Sequence, residues 1–560
     1  MGQAFCLVSE TLQVPRFMAD DSEKEVERLA AACRKAAEEL DQIRLHAASQ
    51  MGEAEAALFE AQKMFLEDLA LLEMVESAIH GGQNVEAAWM DAIEQFSAEL
   101  AQLPDPTLSE RAADVRDVGR RVLRLLLGRP DSQTLVFDHP VILVARDLEP
   151  SQTAVLDKKM VLAFCTVLGG PTSHTAILAK VLGIPAVVGL GETLMEIVPG
   201  TLLLVDGSLG QVIAQPGKET RAAFEWKRSN SKKTASKELE QAHLPAVTAD
   251  HHRVEVVCNI GSLADAQTAI QQGAEGVGLL RTEFLYLNRR VEPTEEEQFT
   301  AYQSIFETMG SLPVVARTLD AGGDKQIPYL NEVDEANPFL GLRAIRLCLK
   351  RPELFKAQLR ALLRAGKGHD LRIMFPMVAT LSELRQAKQL LAEAQVELTA
   401  AGNSSNLNFQ TGIMVEIPSV VWMINEFARE VDFFSIGTND LTQYTFAAER
   451  TNDRVAYLSD ACHPAVLRQI HAVVKAAHQA GKWVGVCGEL AGEEDAIPIL
   501  MGLGVDEFSM ASSSIPHAKM ILRSWHYQAS QKLAKKALLL ESAEEVRQFV
   551  RREAAVVSYL

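Results

Sequence analysis

From Leu244 to its end, the chain alternates short apolar, strand-like runs with helical patterns, and this alternation limits the possible folds more than any other feature. Eight runs are present, at residues 254–260, 276–280, 314–319, 372–378, 411–417, 433–437, 483–487 and 507–510. A strand that returns through a helix to a parallel neighbour is a β/α unit, and eight such units in about 300 residues close into a barrel. The sequence therefore predicts a (β/α)8 TIM-type barrel over residues 244–560.

Polar and reactive side chains lie at or just past the carboxyl ends of these runs. In a barrel of this type those ends meet at one mouth, which is where such enzymes keep their chemistry. The side chains placed there are Asn259, Arg281, Arg317, Glu416, Asn439, Asp440 and Cys487. We therefore expect an active site at the barrel mouth.

Two of these side chains, Glu416 and Asp440, are carboxylates that could hold a hard divalent cation, and Mg²⁺ suits such a sparse, oxygen-only ligand set. Alternatively, Glu416 forms a buried ion pair with an arginine. Arg281, Arg317 and Arg450 could grip a phosphate and a carboxylate in the forked geometry that lysine lacks, although each could also be a structural charge.

Cys487 ends an apolar run, and a buried, inert thiol is the ordinary interpretation of such a residue. Placed over an enolate, the thiol could instead deliver a proton. A substrate that carries a carboxylate, a phosphate and a latent enolate suggests phosphoenolpyruvate. Transfer of its phosphoryl group would then need mainly positioning and charge neutralisation.

A second candidate site lies where a strand-like run, 161–167, changes into a helix-like run, 175–182. The junction contains two glycines, Thr172 and Ser173, and ends in His174. A helix N-terminus offers unpaired N–H groups and a positive dipole end, which suit a phosphorylated histidine. Alternatively, Ser173 simply caps the helix. The phosphoenolpyruvate site predicted in the barrel favours the first interpretation because it supplies a phosphoryl donor.

The remaining segments suggest three further parts of the chain. Residues 21–128 read as an all-helical unit, and their apolar stripe Leu58, Met64, Phe65, Leu69, Leu72, Val75 and Ile79 is predicted to be bundle core. Residues 129–217 read as a compact α/β domain, to which residues 1–20 could add a strand, so that the helical unit is an insertion. Residues 218–243 read as a solvated helical linker.

Charge and cysteine content exclude several classes of protein. The formal net charge of −19 argues against nucleic-acid binding. The seven cysteines are scattered, without a Cys-x-x-Cys pair, which favours a reducing compartment over a disulfide framework. The sequence shows no signal peptide and no run of the ~20 apolar residues that a membrane span needs. We expect a cytoplasmic protein without membrane insertion.

In several long motifs the chain resembles Enzyme I, the phosphoenolpyruvate-protein phosphotransferase family of the bacterial sugar phosphotransferase system. The matching segments are residues 110–117, 170–175, 276–284, 322–325, 337–341, 434–444 and 487–492. They occur in order over nearly the whole chain. The resemblance implies a swivelling phosphohistidine α/β domain with an inserted helical bundle, followed by the barrel.

The resemblance also implies roles for individual residues. His174 matches the histidine that is phosphorylated on Nε2, and Thr153 matches the residue that hydrogen-bonds its other ring nitrogen. The phosphoenolpyruvate-binding positions are matched by Arg281, Arg317, Asn439, Asp440 and Arg450, the Mg²⁺ ligands by Glu416 and Asp440, and the proton donor by Cys487. In this family the helical insertion docks the phosphocarrier protein HPr, and the barrel forms a homodimer.

Four departures from the family pattern concern phosphate handling and the first strand. Pro171 stands where arginine is common, Lys180 replaces an arginine, and Glu449 replaces an aspartate beside Arg450. The family's first strand, usually near Ser-Pro-Gly, is missing before Met1, so that the α/β domain could lack an edge strand. These departures motivate an alternative, a regulatory or degenerate member that binds phosphoenolpyruvate or HPr without full transfer activity.

A second alternative is a relative of pyruvate-phosphate dikinase or phosphoenolpyruvate synthase. Those enzymes share the histidine domain and the barrel, but they also need an ATP-binding domain. No segment here has the length or the glycine-rich phosphate loop of such a domain.

Overall fold

The computed structural model describes residues 1–7, 12–51, 53–101, 106–129, 137–148, 156, 159–169, 176, 179, 183–207, 209–287, 289, 291–323, 327, 329–330, 335–402, 408–450, 452 and 455–557. The chain divides into two compact units, Met1–Arg228 and Ser229–Leu560. The finer division into an α/β domain, a helical insertion and a linker stays a prediction.

A six-stranded sheet in the first unit is built from β1 (Gly2–Leu7), β2 (Val141–Ala145), β3 (Val161–Thr166), β4 (Ala186–Val187), β5 (Leu202–Asp206) and β6 (Gln211–Ala214). Its order is β4-β3-β2-β1-β5-β6. β1 pairs in parallel with β2 and antiparallel with β5. The opening residues therefore form a strand, as expected, and that strand lies inside the sheet.

The helical part of this unit comprises α1 (Ser22–Met51), α2 (Glu53–Phe65), α3 (Leu69–His80), α4 (Val85–Ala101) and α5 (Pro106–Leu126). These helices lie between β1 and β2 in the chain, so they separate two neighbouring strands of the sheet in sequence. Trp89 is completely buried among them, and its indole N–H donates to the Gly119 carbonyl at 2.9 Å.

The predicted apolar stripe of this bundle was partly wrong. Val75 and Ile79 are buried, but Met64 is 70% exposed and Leu69 is 76% exposed, while Leu66 and Leu71 are buried. The physical reason is the break between α2 and α3, because a chain that leaves the helix restarts its 3.6-residue period in a new phase. The side chain of Leu58 lies outside the described residues.

Helix α6 (Lys218–Glu240) contains the division between the two units and matches the helix predicted for the linker. After the short strand β7 (Ala246–Val247), the second unit holds the barrel strands β8 (Arg253–Ile260), β9 (Val277–Arg281), β10 (Val314–Arg317), β11 (Leu371–Phe375), β12 (Gln410–Val415), β13 (Phe433–Ile436), β14 (Trp483–Val486) and β15 (Glu507–Met510). From β8 to β15 all neighbouring pairs are parallel, and β15 pairs with β8, whereas β7 pairs antiparallel with β8. The predicted (β/α)8 barrel is confirmed.

The helices of the second unit follow the strands in the expected alternation. They are α7 (Leu263–Gln271), α8 (Glu295–Met309), α9 (Ile345–Lys350), α10 (Pro352–Ala365), α11 (Leu381–Ala400), α12 (Pro418–Trp422), α13 (Ile424–Phe427), α14 (Thr438–Phe446), α15 (Pro464–Gln479), α16 (Ile497–Leu503), α17 (Ile515–Ser524), α18 (Tyr527–Ala537) and α19 (Ala543–Val557). Two of them start in capping boxes, Thr294 with Glu297 and Thr380 with Glu383. Each box satisfies N–H groups that a helix leaves unpaired at its start.

Side chains alternate along the barrel strands, so that one set faces the helices and the other faces the barrel interior. The interior set forms its own apolar cluster of Leu279, Val315, Met374, Met414, Phe433 and Cys487. This packed interior puts polar groups at the two ends of the barrel. Among the described residues, every helix is too short or too polar to cross a membrane.

Candidate active site

The candidate site lies at the carboxyl ends of β9, β10, β12, β13 and β14. Arg281 and Arg317 end neighbouring strands and are register partners. Glu416 directly follows β12, Asp440 lies in the first turn of α14 after β13, and Cys487 directly follows β14. The strand ends therefore bring these predicted side chains to one edge of the barrel.

A network of buried charges occupies the centre of this edge. Arg317 Nη2 lies 2.7 Å from Glu283 Oε1, and Arg317 Nη1 lies 3.0 Å from Asp320 Oδ2. Arg343 binds Asp320 through two hydrogen bonds of 2.9 and 3.1 Å. Arg343 also contacts Asp440 at 3.3 Å. The two guanidinium groups thus order three carboxylates around the mouth.

The pKa values of the two arginines reflect this network. Burial lowers the pKa of Arg317, but Glu283 and Asp320 more than offset it, and the net direction is upward. Burial likewise lowers the pKa of Arg343, and Asp320 and Asp440 reverse the effect. Both side chains stay cationic, which suits the binding of an anionic substrate.

Glu416 adds a fourth buried carboxylate, and one of its oxygens is unsatisfied. Its Oε1 accepts the Met377 backbone N–H at 2.5 Å, whereas Oε2 has no hydrogen-bond partner among the described residues. Burial, followed by the negative charges of Asp440 and Asp320, raises the pKa of Glu416 to about 8. An ionised Glu416 therefore needs a further positive charge nearby.

The donor set fits a hard divalent cation better than the alternative of an arginine ion pair. Glu416 makes no ion pair in the described part of the chain, and its free Oε2 is a suitable ligand atom for such a cation. Across the described ranges, no group of three or more His, Cys, Asp or Glu side chains converges as a metal centre. A cation held by Glu416 and Asp440 would accordingly complete its shell with water or substrate oxygens, as Mg²⁺ does.

Cys487 is buried at the top of the apolar cluster inside the barrel. Burial raises the pKa of its thiol to about 11, so that the sulfur carries a proton at neutral pH. The amide of Asn259 donates to the Cys487 carbonyl at 3.1 Å. Two residues further on, the Glu489 N–H donates to Asn439 Oδ1 at 3.1 Å. The backbone that carries the thiol is therefore held by side chains from two other strand ends.

Further polar atoms at the mouth are buried without a partner in the described part of the chain. They are Arg317 Nε, Thr318 Oγ1 and Thr438 Oγ1. An unsatisfied buried donor or hydroxyl is unfavourable by about 1–3 kcal/mol, so several of them in one place indicate a site that a polar ligand or water fills.

The other two predicted arginines occupy the surroundings of this network. Arg281 is exposed at the end of β9, and Arg450 is half-buried in the connection after α14. The Arg450 backbone N–H donates to Gln443 Oε1 at 3.2 Å, which ties this connection to α14. Their grip on a substrate stays a prediction.

His174 and Thr153 lie outside the described residues, as do Pro171, Ser173 and Lys180. Near them, the structure describes β3, which ends at Thr166, and Gly169 with a φ of +99°. A positive φ is readily adopted only by glycine, which supports a sharp turn after the strand. Ala176 and Ala179 are helical, as predicted for this segment.

Four parts of the site were not predicted from the sequence: Glu283, Asp320, Arg343 and the Met377 backbone. Glu283 lies in the matched segment 276–284, in which only Arg281 was predicted to belong to the site. Arg343 follows the matched segment 337–341 by two residues. Arg343 lies in the long connection between β10 and α9, so the strand-end rule could not select it. The position of Glu283 and Arg343 within or next to matched segments was the sequence signal from which they could have been predicted.

Comparison with known proteins agrees with this geometry. Residues 235–527 match the family model described as PEP-utilising enzyme, PEP-binding domain. Residues 1–111 match the N-terminal domain model of PEP-utilising enzymes, and residues 137–210 match their mobile-domain model.

Among curated proteins, the chain is similar to phosphoenolpyruvate-protein phosphotransferases of bacteria. The relative from Priestia megaterium is 46% identical over 98% of this chain and 96% of its own length. The relative from Geobacillus stearothermophilus is 46% identical over 99% of this chain and 96% of its own. The relative from Bacillus subtilis is 45% identical over 98% and 97%, respectively.

Proposed function

Because the chain belongs to the phosphoenolpyruvate-protein phosphotransferase family, whose PEP-binding domain model covers most of the barrel, we propose that it transfers the phosphoryl group of phosphoenolpyruvate to His174 and then to a histidine of HPr. The observation that carries the proposal is the barrel mouth, where two buried arginines, an unsatisfied carboxylate and a protonated thiol meet. The other product is pyruvate.

The arginines supply the binding of an anionic substrate. Arg317 uses both of its Nη atoms on Glu283 and Asp320, which fixes the plane of its guanidinium and leaves the buried Nε–H to donate to a substrate oxygen. Arg281 ends the neighbouring strand, and Arg450 and Asn439 complete the set that we propose to hold the phosphate and the carboxylate. A preformed cationic site of this kind neutralises charge without reorganising.

We propose Glu416 and Asp440 as the residues that hold Mg²⁺. When bound there, the cation supplies charge neutralisation for the substrate oxygens. Glu416 Oε1 is already occupied by the Met377 N–H, so Oε2 is the atom left for the metal. Arg343 holds the Asp440 carboxylate in place through contacts of 3.3 and 3.4 Å to its two oxygens.

The reaction balances with the residues named. His174 Nε2 attacks phosphorus, the bond between phosphorus and the bridging oxygen breaks, and its electron pair stays on that oxygen as the enolate of pyruvate. Cys487 donates the proton of its thiol to the methylene carbon, and the thiolate then takes a proton from solvent. The high pKa of Cys487 supports this role because the donor must be protonated before the step.

We propose that HPr docks on the exposed break between α2 and α3. Met64 and Leu69 expose apolar side chains there, and the acidic residues around them are Glu60, Glu67, Asp68 and Glu73. An apolar centre with a charged rim is the usual composition of a protein interface, and the negative rim suits a basic partner.

A docking variant tests this surface separately from the chemistry. Met64→Glu and Leu69→Glu should slow transfer to HPr while the phosphorylation of His174 by phosphoenolpyruvate keeps its rate. Leu539→Glu, which changes an equally exposed leucine in the barrel unit, serves as the control. Unchanged transfer in the first two variants would exclude this surface.

The central experiment is phosphorylation of the purified protein with phosphoenolpyruvate labelled in its phosphoryl group, with and without Mg²⁺. Label should appear on the protein, depend on Mg²⁺ and disappear in His174→Ala. Label retained in that variant would refute the assignment of His174. Binding of phosphoenolpyruvate without any labelling would point to a non-catalytic member.

The assembly state and compartment are also proposals. We propose a cytoplasmic homodimer that associates through the barrel unit. Trp422, the last residue of α12, is 86% exposed there, and Tyr457, between α14 and α15, is 78% exposed. Light scattering should give twice the chain mass, and Trp422→Glu should lower it. A wild-type monomer at all concentrations would contradict the dimer.

A further inference from the structure

The backbone segment that carries Cys487 ends in three consecutive acidic residues, 493–495, and two of them bind the C-terminal helix α19. Arg547 Nη2 lies 2.7 Å from Glu493 Oε2, and Arg551 Nη2 lies 2.8 Å from Asp495 Oδ2. Between Cys487 and Glu493 there are only Gly488 and one turn of 3-10 helix, Glu489–Gly492. The far end of the segment that carries Cys487 is therefore held by α19, which lies outside the barrel mouth in sequence.

Arg547 has a second partner, on a different connection of the barrel. Its Nε and Nη2 each lie 2.8 Å from an oxygen of Asp460. Asp460 belongs to the connection between α14 and α15, which also carries Arg450. The carboxylate of Asp460 accepts the Cys462 backbone N–H at 2.9 Å and thereby stays in a fixed orientation. The Arg547 guanidinium thus links two connections of the barrel, the one that carries Arg450 and the one that carries Cys487.

This joint, formed by Arg547 with Asp460 and Glu493, has a geometry that is specific to arginine. A fork to one carboxylate with an additional contact to a second needs the planar guanidinium, which lysine does not offer. The Arg547 side chain is 19% exposed, and its hydrogen bond to Asp460 gives the largest contribution to its raised pKa. Arg547 Nη1 also lies 3.8 Å from Asp495 Oδ2. Arg551, in contrast, is 63% exposed, and its ion pair with Asp495 is of the exposed kind that contributes little.

The near end of the same segment is held by the site itself. The Cys487 N–H donates to the Ile436 carbonyl at 3.0 Å, and the Glu489 N–H donates to Asn439. A short segment fixed at both ends can place a thiol to a fraction of an ångström. A segment released at one end loses that placement, and misplacement by about 1 Å can slow a reaction about a hundredfold.

We propose that Arg547 is a positioning residue for the proton-transfer step: by joining Glu493 to Asp460 it holds the Cys487 thiol in reach of the methylene carbon. This inference rests on the proposed function, in which Cys487 protonates the enolate. Without the joint, the enolate leaves before the thiol reaches it and takes a proton from water on either face. Arg547 itself contacts no reacting atom.

The test uses the full-length protein and phosphoenolpyruvate carrying deuterium at one methylene position, in tritiated water, so that the face of protonation can be measured in the pyruvate formed. The variants are Arg547→Met, Arg547→Lys and Asp460→Asn. The matched control is Arg552→Met, which changes an exposed arginine on the same helix, α19. Cys487→Ala serves as the reference for protonation by water alone. Circular dichroism checks that each variant is folded.

Wild type and Arg552→Met should protonate one face, and Cys487→Ala should protonate both. Arg547→Met should protonate both faces and form pyruvate about 10- to 100-fold more slowly. Single-turnover phosphorylation of His174 should keep its rate, since that step precedes proton transfer. Arg547→Lys and Asp460→Asn should fall between Arg547→Met and wild type.

Two results would overturn the proposal, and they are distinguishable. If Cys487→Ala protonates both faces while folded Arg547→Met or Arg547→Lys still protonates one, only the positioning role of Arg547 fails. If Cys487→Ala itself protonates one face, the assigned role of Cys487 fails and the positioning role fails with it.

Discussion

The buried carboxylate of Glu507 should make the stability of the barrel depend on pH. Glu507 is the first residue of β15 and faces the barrel interior, where an added Cβ on Gly485 would lie 3.0 Å from its Oε1. Its side chain is 2% exposed, and both carboxylate oxygens have no hydrogen-bond partner among the described residues. The nearest cation is Arg372, whose Nη1 lies 3.7 Å from Oε2. A carboxylate in this environment is poorly solvated and only partly compensated.

Burial is the main cause that raises the pKa of Glu507 to about 7, from an ordinary value of 4.5. A raised carboxyl pKa means that the folded state binds the proton more tightly than the unfolded state does. The associated stability is therefore fully present below pH 4.5 and is lost as the pH rises through about 7. The difference between the two pKa values corresponds to about 3 kcal/mol, of which about 2.5 kcal/mol is lost between pH 5 and pH 8.

Glu507→Gln keeps the shape of the side chain and removes its titration. We expect wild type to lose about 2.5 kcal/mol of barrel stability, relative to this variant, on going from pH 5 to pH 8. Urea unfolding can be followed by tryptophan fluorescence, to which Trp483, stacked on Phe433 inside the barrel, contributes. Glu553→Gln, an exposed change on α19, should show the wild-type pH dependence.

The reasoning would be refuted if Glu507→Gln and wild type changed in parallel between pH 5 and pH 8. Such a result would mean that ionisation of Glu507 costs the folded barrel little free energy, because water or Arg372 stabilises the carboxylate.

Two other predictions concern the metal ligand and the packing of the outer helices. Because burial raises the pKa of Glu416 to about 8, its proton must leave before Mg²⁺ binds, and the apparent affinity for Mg²⁺ should rise about tenfold per pH unit below pH 8. Titration calorimetry at several pH values measures this slope, and a flat profile would contradict it. A Cβ on Gly502 would lie 2.0 Å from the Ser530 backbone oxygen, so Gly502→Ala should destabilise the barrel by about 3 kcal/mol. Gly261→Ala, where an added Cβ makes only an ordinary contact, should leave the urea midpoint unchanged, and equal midpoints for both variants would refute the packing argument.

The barrel could be predicted from sequence because its eight strands are short apolar runs, and six of them have a polar or reactive residue at or just past the carboxyl end. The periodicity of a single run decides little, but eight runs at regular intervals leave few alternatives. The same rule selected Arg317, Glu416 and Cys487, since the carboxyl end of a barrel strand is a fixed position. These positions follow from the local sequence together with one assumption about the whole domain, namely that the eight strands form a single barrel.

What the sequence could not provide was the pairing between residues far apart in the chain. Arg343 joins Asp320 and Asp440 from the middle of a long connection, and nothing in its local pattern distinguishes it from a surface arginine. The predicted burial of Met64 and Leu69 was wrong for a related reason. A short break between two helices changes which face is buried without changing the amino-acid composition. Long-range partners and helix phase are properties of the folded chain.

The position of β1 has a consequence for the order in which the protein folds. β1 ends at Leu7, but its parallel neighbour β2 begins at Val141, so the strand pairing must close a loop that contains all five helices from α1 to α5. An unfolded loop of this length opposes closure entropically, and pairings of high sequence separation form slowly. If the helices fold first, the ordered bundle shortens the flexible part of the loop. During synthesis the bundle is complete before β2 is made, so it can bring the first strand to the place where the sheet will form around it.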